Sequence, residues 1–247
     1  MKMFDWFKRR NEKDLEFVDT HRTVYQHHPV RRAKDVKPLT FDIQKKKYGK
    51  HMLPHCPGMI DYAEIGYIVP AWIDMHILAN KAGVVHYIGS ASRGPRGFSQ
   101  GREMDPRPVE GTFELQDGIP AVALNFGSPW GVFASKNISA LVMPAYYHSN
   151  VLDDLHVIPG VVDYKKFHTL NFICMPKRKC EVHIKAGDPL LHVIPIWNKE
   201  FNAGYGPGTQ EQLDAFSNEI AGDDKQYYRK YYMFKKSYNI QSNEKTS

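Results

Sequence analysis

The forty residues from His156 to Pro195 constrain the fold more than any other part of the chain. Four short apolar runs lie there and at its margins: Leu155–Ile158, His168–Cys174, Cys180–Ile184 and Leu190–Ile196. They are separated by Pro159-Gly160, Met175–Lys179 and Ala186-Gly187-Asp188, turn-forming residues that punctuate strands. Runs this short and this evenly spaced predict antiparallel sheet. In the third run Cys180, Val182 and Ile184 alternate with Glu181, His183 and Lys185, the period of two that buries one face of a strand and wets the other.

The same rhythm extends on both sides. Gly66–Pro70, Trp72–Leu78 and Val84–Ile88 read as strands before this stretch, and Thr112–Leu115, Ala121–Asn125, Gly131–Ala134 and Ala140–Met143 as further ones. Gly127-Ser128-Pro129-Trp130 reads as a turn sealed by a bulky ring. In Trp72–Leu78 the residues Ile73, Met75 and Ile77 share one face, and Asp74 and His76 the other. An Asp-x-His pair on one strand face supplies two ligands to a metal, or simply lines a wet face; with no third ligand assigned, no metal is expected. At 247 residues and 42% hydrophobic content the chain is long enough to bury one sizeable core.

Charge is uneven. Residues 1–50 hold 14 Lys/Arg and 7 Asp/Glu, against 33 and 27 in the whole chain, so the net excess of +6 resides in this segment. Arg31-Arg32 and Lys45-Lys46-Lys47, interrupted by Pro29 and Pro38, read as an extended basic arm, with ordered sheet expected after His51. Arg31, Arg32, Lys45 and Lys46 are its candidate contacts, either for nucleic-acid phosphates or as solvated charge. Met1–Arg10 places Met3, Phe4 and Phe7 at helical spacing, which fits a helix docked on a partner or an anionic surface, or a terminus packed on its own domain. Arg93, Arg96 and Arg102 make the long Gly89–Pro108 stretch a cationic loop, for an anionic ligand, a neighbouring subunit or a mobile excursion.

Gly204–Gly208 leads into Thr209-Gln210-Glu211-Gln212, a capping-box start for a helix through about Ile220. A second helix over Asp224–Tyr238 carries Tyr227, Tyr228, Tyr231, Tyr232 and Phe234 interleaved with Arg and Lys; Tyr228 and Tyr232 are candidate contacts to another subunit. Three cysteines, Cys56, Cys174 and Cys180, form no metal-spaced cluster and point to reduced thiols, although Cys174 and Cys180 flank one turn closely enough for a disulfide. No apolar run reaches the roughly 20 residues of a membrane span and no signal-peptide core follows Met1, so a soluble protein without a transmembrane segment is expected.

Gly160-Val161-Val162-Asp163 and Gly187-Asp188-Pro189-Leu190-Leu191-His192, with glycines 27 residues apart, resemble the third and fourth motifs of the dUTPase and dCTP deaminase superfamily. Ala71-Trp72-Ile73-Asp74-Met75, Met143-Pro144 and Gly204-Tyr205-Gly206-Pro207-Gly208-Thr209 echo its first, second and last motifs in the family's order. The resemblance implies a mainly β chain: a distorted antiparallel β-sandwich, a dUTPase-like jelly roll, forming a homotrimer. It implies that Asp163 orients a water or sugar hydroxyl, that Asp74 helps hold nucleotide or magnesium, and that Gly206 and its neighbours close over phosphates. Two departures bear on activity. Tyr146-Tyr147-His148-Ser149 stands where the family has an arginine and paired serines, and His192 replaces its glutamine. Tyrosine and histidine present polar tips there but do not replace a bidentate arginine.

Over most of its length the chain also resembles a group of proteins encoded by large tailed phages, many from marine bacteria. The likeness rests on Cys56-Pro57-Gly58-Met59 with Asp61-Tyr62, Gly127-Ser128-Pro129-Trp130, Met143 to His148, and Gly187 to Leu190. It implies a host-cytoplasmic or virion location. The domains expected are a basic arm (1–50), a sandwich (51–208) and a helical, aromatic-rich tail (209–247). The function expected is a non-catalytic binding or assembly module, with no cofactor, partnered by copies of itself or by phage structural proteins. Two alternatives stand beside it: a dUTPase-type hydrolase, and a cupin-like metal-dependent oxygenase using Asp74, His76, His148 and His192. Asp74, Tyr146, His148, Asp163, His192 and Gly206 are the candidate ligand-binding residues, and whether they line one cleft is the deciding observation.

Overall fold

The computed structural model describes residues 14–22, 24–39, 41, 56–88, 107–108, 118, 122–135, 137–199 and 206–214. Its elements in chain order are β1 (Leu15–Asp19), α1 (Val24–His27), β2 (Arg31–Arg32), a 3-10 turn (Ala33–Asp35), α2 (Pro57–Glu64), β3 (Tyr67–Pro70), β4 (Met75–Asn80) and β5 (Gly83–Ile88). There follow β6 (Arg107–Pro108), β7 (Val122–Ala134), β8 (Ile138–Pro144), β9 (Leu155–Val157), β10 (Gly160–Val162), β11 (Thr169–Pro176), β12 (Cys180–Ile184) and β13 (Pro189–Trp197). The chain is mainly β, and every strand pair among the described residues is antiparallel.

Three sheets result. The first runs β1-β7-β11-β9, with β6 also on β7; the second runs β10-β8-β13-β3-β2; the third runs β12-β4-β5. They share one apolar core, to which the first sheet gives Phe126, Val132 and Phe172, the second Val69, Val142 and Leu191, and the third Ile77, Val182 and Ile184. Alternation selects these residues. Along β12 Cys180, Val182 and Ile184 are buried while Glu181 and His183 are exposed, and along β4 Met75, Ile77 and Ala79 are buried, as the period of two requires. Cys174 and Cys180 are free and buried. Burial pushes the Cys174 thiol far above its ordinary range.

Two ladders join the second and third sheets at a common corner. β3 pairs with β13, and β4 with β12, so the chain crosses from one sheet to the other twice, through residues 71–74 and 185–188. The two crossings are bonded together. The Ala71 amide donates to the Asp188 carbonyl (2.8 Å), the Gly187 amide donates to the Ala71 carbonyl (2.8 Å), and the Ala186 amide donates to the Asp74 carboxylate (2.8 Å). Asp188 tightens its own turn by accepting from the Lys185 amide (2.8 Å).

The sequence expectations are corrected in three places. Ordered sheet begins well before His51: β1 supplies an outer partner to β7, and Arg31–Arg32 adds an edge to β3, so the described part of the basic arm is stitched to two sheets. Gly127-Ser128-Pro129-Trp130 is not a turn between strands but a bulge inside the single strand β7, where the register with β11 shifts. Pro129 has no amide to donate, and its carbonyl accepts from both the amide (2.9 Å) and the hydroxyl (2.7 Å) of Thr20. Third, the Pro57–Glu64 segment forms a helix, with Pro57 in its first turn, where a missing amide costs nothing.

At the far end the Thr209 hydroxyl accepts from the Gln212 amide and the Gln212 side chain accepts from the Thr209 amide, the reciprocal capping box read from the sequence, opening a helix over 210–214. The Met1–Arg10 segment, Lys45 and Lys46, the loop arginines Arg93, Arg96 and Arg102, the Thr112–Leu115 run, and the tail with Tyr228 and Tyr232 lie outside the described residues. Of the cationic loop, Arg107–Pro108 is described and pairs with β7.

Gly66, between α2 and β3, has φ +75°, and a Cβ there would stand 2.3 Å from the Val193 carbonyl oxygen. Only glycine fits both constraints. In urea titrations Gly66→Ala is expected to lower unfolding free energy by about 3 kcal/mol or more. Gly160→Ala, where a Cβ meets nothing within 4 Å, is expected to change it by less than about 1 kcal/mol.

Candidate functional site

The helix α2 faces the segment after β8, and their meeting builds a half-buried aromatic cluster over two buried histidines. Tyr62 donates its hydroxyl to the Met143 sulfur (3.2 Å), and Tyr147 donates to the Met59 sulfur (3.2 Å). The Tyr62 ring meets Tyr147 edge-on at 5.4 Å and His192 edge-on at 5.1 Å, and His192 in turn meets His148 at 5.9 Å. Met59, Tyr62, Met143, Tyr147 and His148, far apart in the chain, thus meet in space.

Both histidines are enclosed. His148 is 3% exposed and His192 0%. His192 lies on β13 and its Nε2 donates to the Ile65 carbonyl at 2.5 Å, which fixes the tautomer and, among the described residues, leaves Nδ1 without a partner. The backbone carbonyls of Ala33, Val36 and Ala63 surround His148, but among the described residues neither of its ring nitrogens reaches hydrogen-bond geometry with a protein group. Burial, reinforced by the His192 ring, lowers His148 to about 4. His192 is also lowered by burial, against the opposing pull of the Ile65 carbonyl. Burial and the neighbouring Tyr146 and Tyr147 push the Tyr62 phenol up to about 12. At neutral pH the cluster is therefore uncharged. A cleft of about 470 Å³ lies beside it, bordered by Ala33, Val36, Phe41, Ile60 and Ala63.

The remaining candidates stand elsewhere. Asp74 accepts from Ala186 at the sheet corner. Asp163 caps the turn after β10, accepting from the Lys165 amide (3.2 Å) and lying within 4.0 Å of the Lys165 and 3.8 Å of the Lys166 ammonium groups. Tyr146 is exposed, as is Gly206. The expectation that the 144–149 segment presents polar tips is corrected for His148 and Ser149, which are buried. Arg31 and Arg32 are exposed on β2; Arg32 and Lys34 border a cleft of about 340 Å³ with Glu64, Gly66 and Pro195. Asp74, His148, Asp163 and His192 thus occupy three settings rather than one, and the set Asp74, His76, His148 and His192 proposed for an oxygenase does not converge.

His76 instead finds partners on the neighbouring strand. The β4–β12 register sets His76 opposite His183, with Glu181 two residues away on the same face. The imidazoles stack at 4.0 Å and 14°, and the Nε2 atoms of His76 and His183 stand 3.0 and 3.1 Å from the same Glu181 Oε1. The bond from His183 chiefly, with the charge of both histidines, holds the Glu181 carboxyl below its ordinary range. Alternation along β12 puts Glu181 and His183 on its wet face; their meeting with His76 needs the strand register, which the sequence does not print.

Comparison of the chain with protein-family models, with curated proteins and with solved structures yields no match.

Because His148 is neutral when folded and has an ordinary value of 6.5 when exposed, the unfolded chain takes up its proton first as pH falls. The stability it contributes is whole above pH 6.5 and is lost between 6.5 and about 4. Urea midpoints measured across that window are expected to fall more steeply for the wild-type protein than for His148→Leu.

Proposed function

We propose that this protein is a non-catalytic binding and assembly module of a large tailed phage, built on an antiparallel β-sandwich of dUTPase type. It acts as a homo-oligomer or in contact with phage structural proteins, in the host cytoplasm or the virion. One observation carries this reading: the polar side chains at positions where the resemblance implies chemistry are committed to the fold. Asp74 holds a backbone amide, Asp163 caps a turn, His192 bonds the Ile65 carbonyl, and His148 is buried and neutral. Phosphate binding needs fixed cations or converging amides, and the 144–149 segment supplies tyrosines, a buried histidine and a buried serine.

The sandwich is supported by the main core shared among the three antiparallel sheets and by the corner at which two ladders change sheet. Assembly is supported by Val161 (63% exposed), Phe167 (52%) and Trp197 (58%), large apolar side chains left at the surface around the β10 edge and the end of β13.

A second reading, a hydrolase of dUTPase type with a divergent site, draws on the contact between Ala71–Asp74 and Gly187–Asp188, two of the motif echoes. Two measurements separate them. Native mass spectrometry of the full chain is expected to show an oligomer, a trimer by resemblance; a strict monomer that binds no phage structural protein removes the assembly reading. Incubation with the deoxynucleoside triphosphates and magnesium is expected to release no pyrophosphate, and sustained release from any of them establishes the hydrolase instead.

A further inference from the structure

We propose that His76, Glu181 and His183 bind a divalent ion of the zinc type on the outer face of the β12-β4-β5 sheet, leaving at least one coordination position open to solvent. This site is separate from the aromatic cluster and does not depend on the assembly reading.

The donors come from paired strands rather than loops. Directly opposed residues of an antiparallel pair bring their side chains together, and residues two apart share a face, so the ladder from Cys180–Ala79 to Ile184–Met75 delivers all three to one spot. Beneath them Met75, Ile77, Val182 and Ile184 are anchored in the core, which makes the platform stiff. One potential ligand atom from each residue lies within 4.8 Å of the others. Around a tetrahedral zinc ion with bonds of about 2.0–2.1 Å, neighbouring ligand atoms stand roughly 3.3–3.4 Å apart. The two Nε2–Oε1 separations, 3.0 and 3.1 Å, are shorter than that by a few tenths of an ångström, an opening that small side-chain rotations supply.

The donor set selects the ion. Two imidazoles and one carboxylate suit zinc and its first-row neighbours, whereas magnesium and calcium call for a shell of oxygens. Binding exchanges the two shared hydrogen bonds for three metal bonds: each neutral ring moves its proton from Nε2 to its own Nδ1, and the freed Nε2 lone pair goes to the ion. His76 is 28% exposed at its side chain, and Glu181 and His183 are 58% and 61% exposed. Solvent therefore reaches the ion, and three protein ligands leave room for water or a donor from another molecule. An ion pair this exposed contributes little to folding, so a purely structural role leaves the convergence unexplained. Asp74, two residues before His76, stays with the Ala186 amide and does not join.

The test uses the full chain without a histidine tag. Calorimetric titration with zinc chloride is expected to show one ion per chain with micromolar affinity, and cobalt(II) to give visible d–d absorption. His76→Ala/His183→Ala and, separately, Glu181→Gln are expected to weaken zinc binding roughly tenfold or more with an unchanged far-ultraviolet spectrum. Zinc binding at full affinity in the double variant overturns the proposal, as does a wild-type protein that binds no zinc. Should the double variant not fold, Glu181→Gln and the wild-type cobalt spectrum decide: full affinity in the one, or no d–d band in the other, overturns it equally.

Discussion

The corner where residues 71–74 meet residues 185–188 is the contact on which the rest of the structure depends. Two antiparallel ladders, β3 with β13 and β4 with β12, run into it from different sheets. A pair of strands that turns from one sheet to another must leave its ladder, and the amides released there need new acceptors. The Ala71, Asp188 and Lys185 carbonyls and the Asp74 and Asp188 carboxylates supply them. Gly187 takes φ +95°, and a Cβ in its place would stand 3.0 Å from the His28 Nδ1, so the turn is both left-handed and closely covered. Because Ala71, Trp72 and Ile73 are buried at this corner, its hydrogen bonds and the shared core hold one another in place.

From the corner the ladders lead to the two candidate sites. β4 and β12 continue into the third sheet, whose wet face carries His76, Glu181 and His183. β13 continues through the second sheet past His192, against which α2 lays Tyr62. One face is exposed and charged and the other enclosed and neutral, so the fold keeps ionic chemistry outside and uses its interior histidines as packing. An imidazole buried without partners costs stability, and the aromatic and sulfur contacts of the cluster offset part of that cost.

Much of the sheet was legible, because a strand with one wet face shows its period directly. The five residues of β12 and the inward set of β4 follow from alternation alone. What failed to show was anything that depends on a distant partner. Gly127-Ser128-Pro129-Trp130 has the composition of a turn, and only the Thr20 bonds to Pro129 reveal why the strand continues through it. Leu15–Asp19 sits in a basic, polar context and becomes a strand because β7 offers it an edge. Of the candidate site, the individual residues were readable but their grouping was not. Alternation sets Asp74 and His76 on one strand face, yet Asp74 lies in the crossing before β4, where the corner claims it, and the neighbouring strand claims His76.

Asp74 serves the fold by holding the sheet corner, and the rest of the account turns on that role. Equilibrium unfolding of Asp74→Ala tests it most directly. Loss of a charged acceptor from the Ala186 amide is expected to lower the unfolding free energy by about 1–2 kcal/mol, with faster hydrogen exchange at that amide. An Asp74→Ala protein as stable as the wild type, with the Ala186 amide equally protected, contradicts the account.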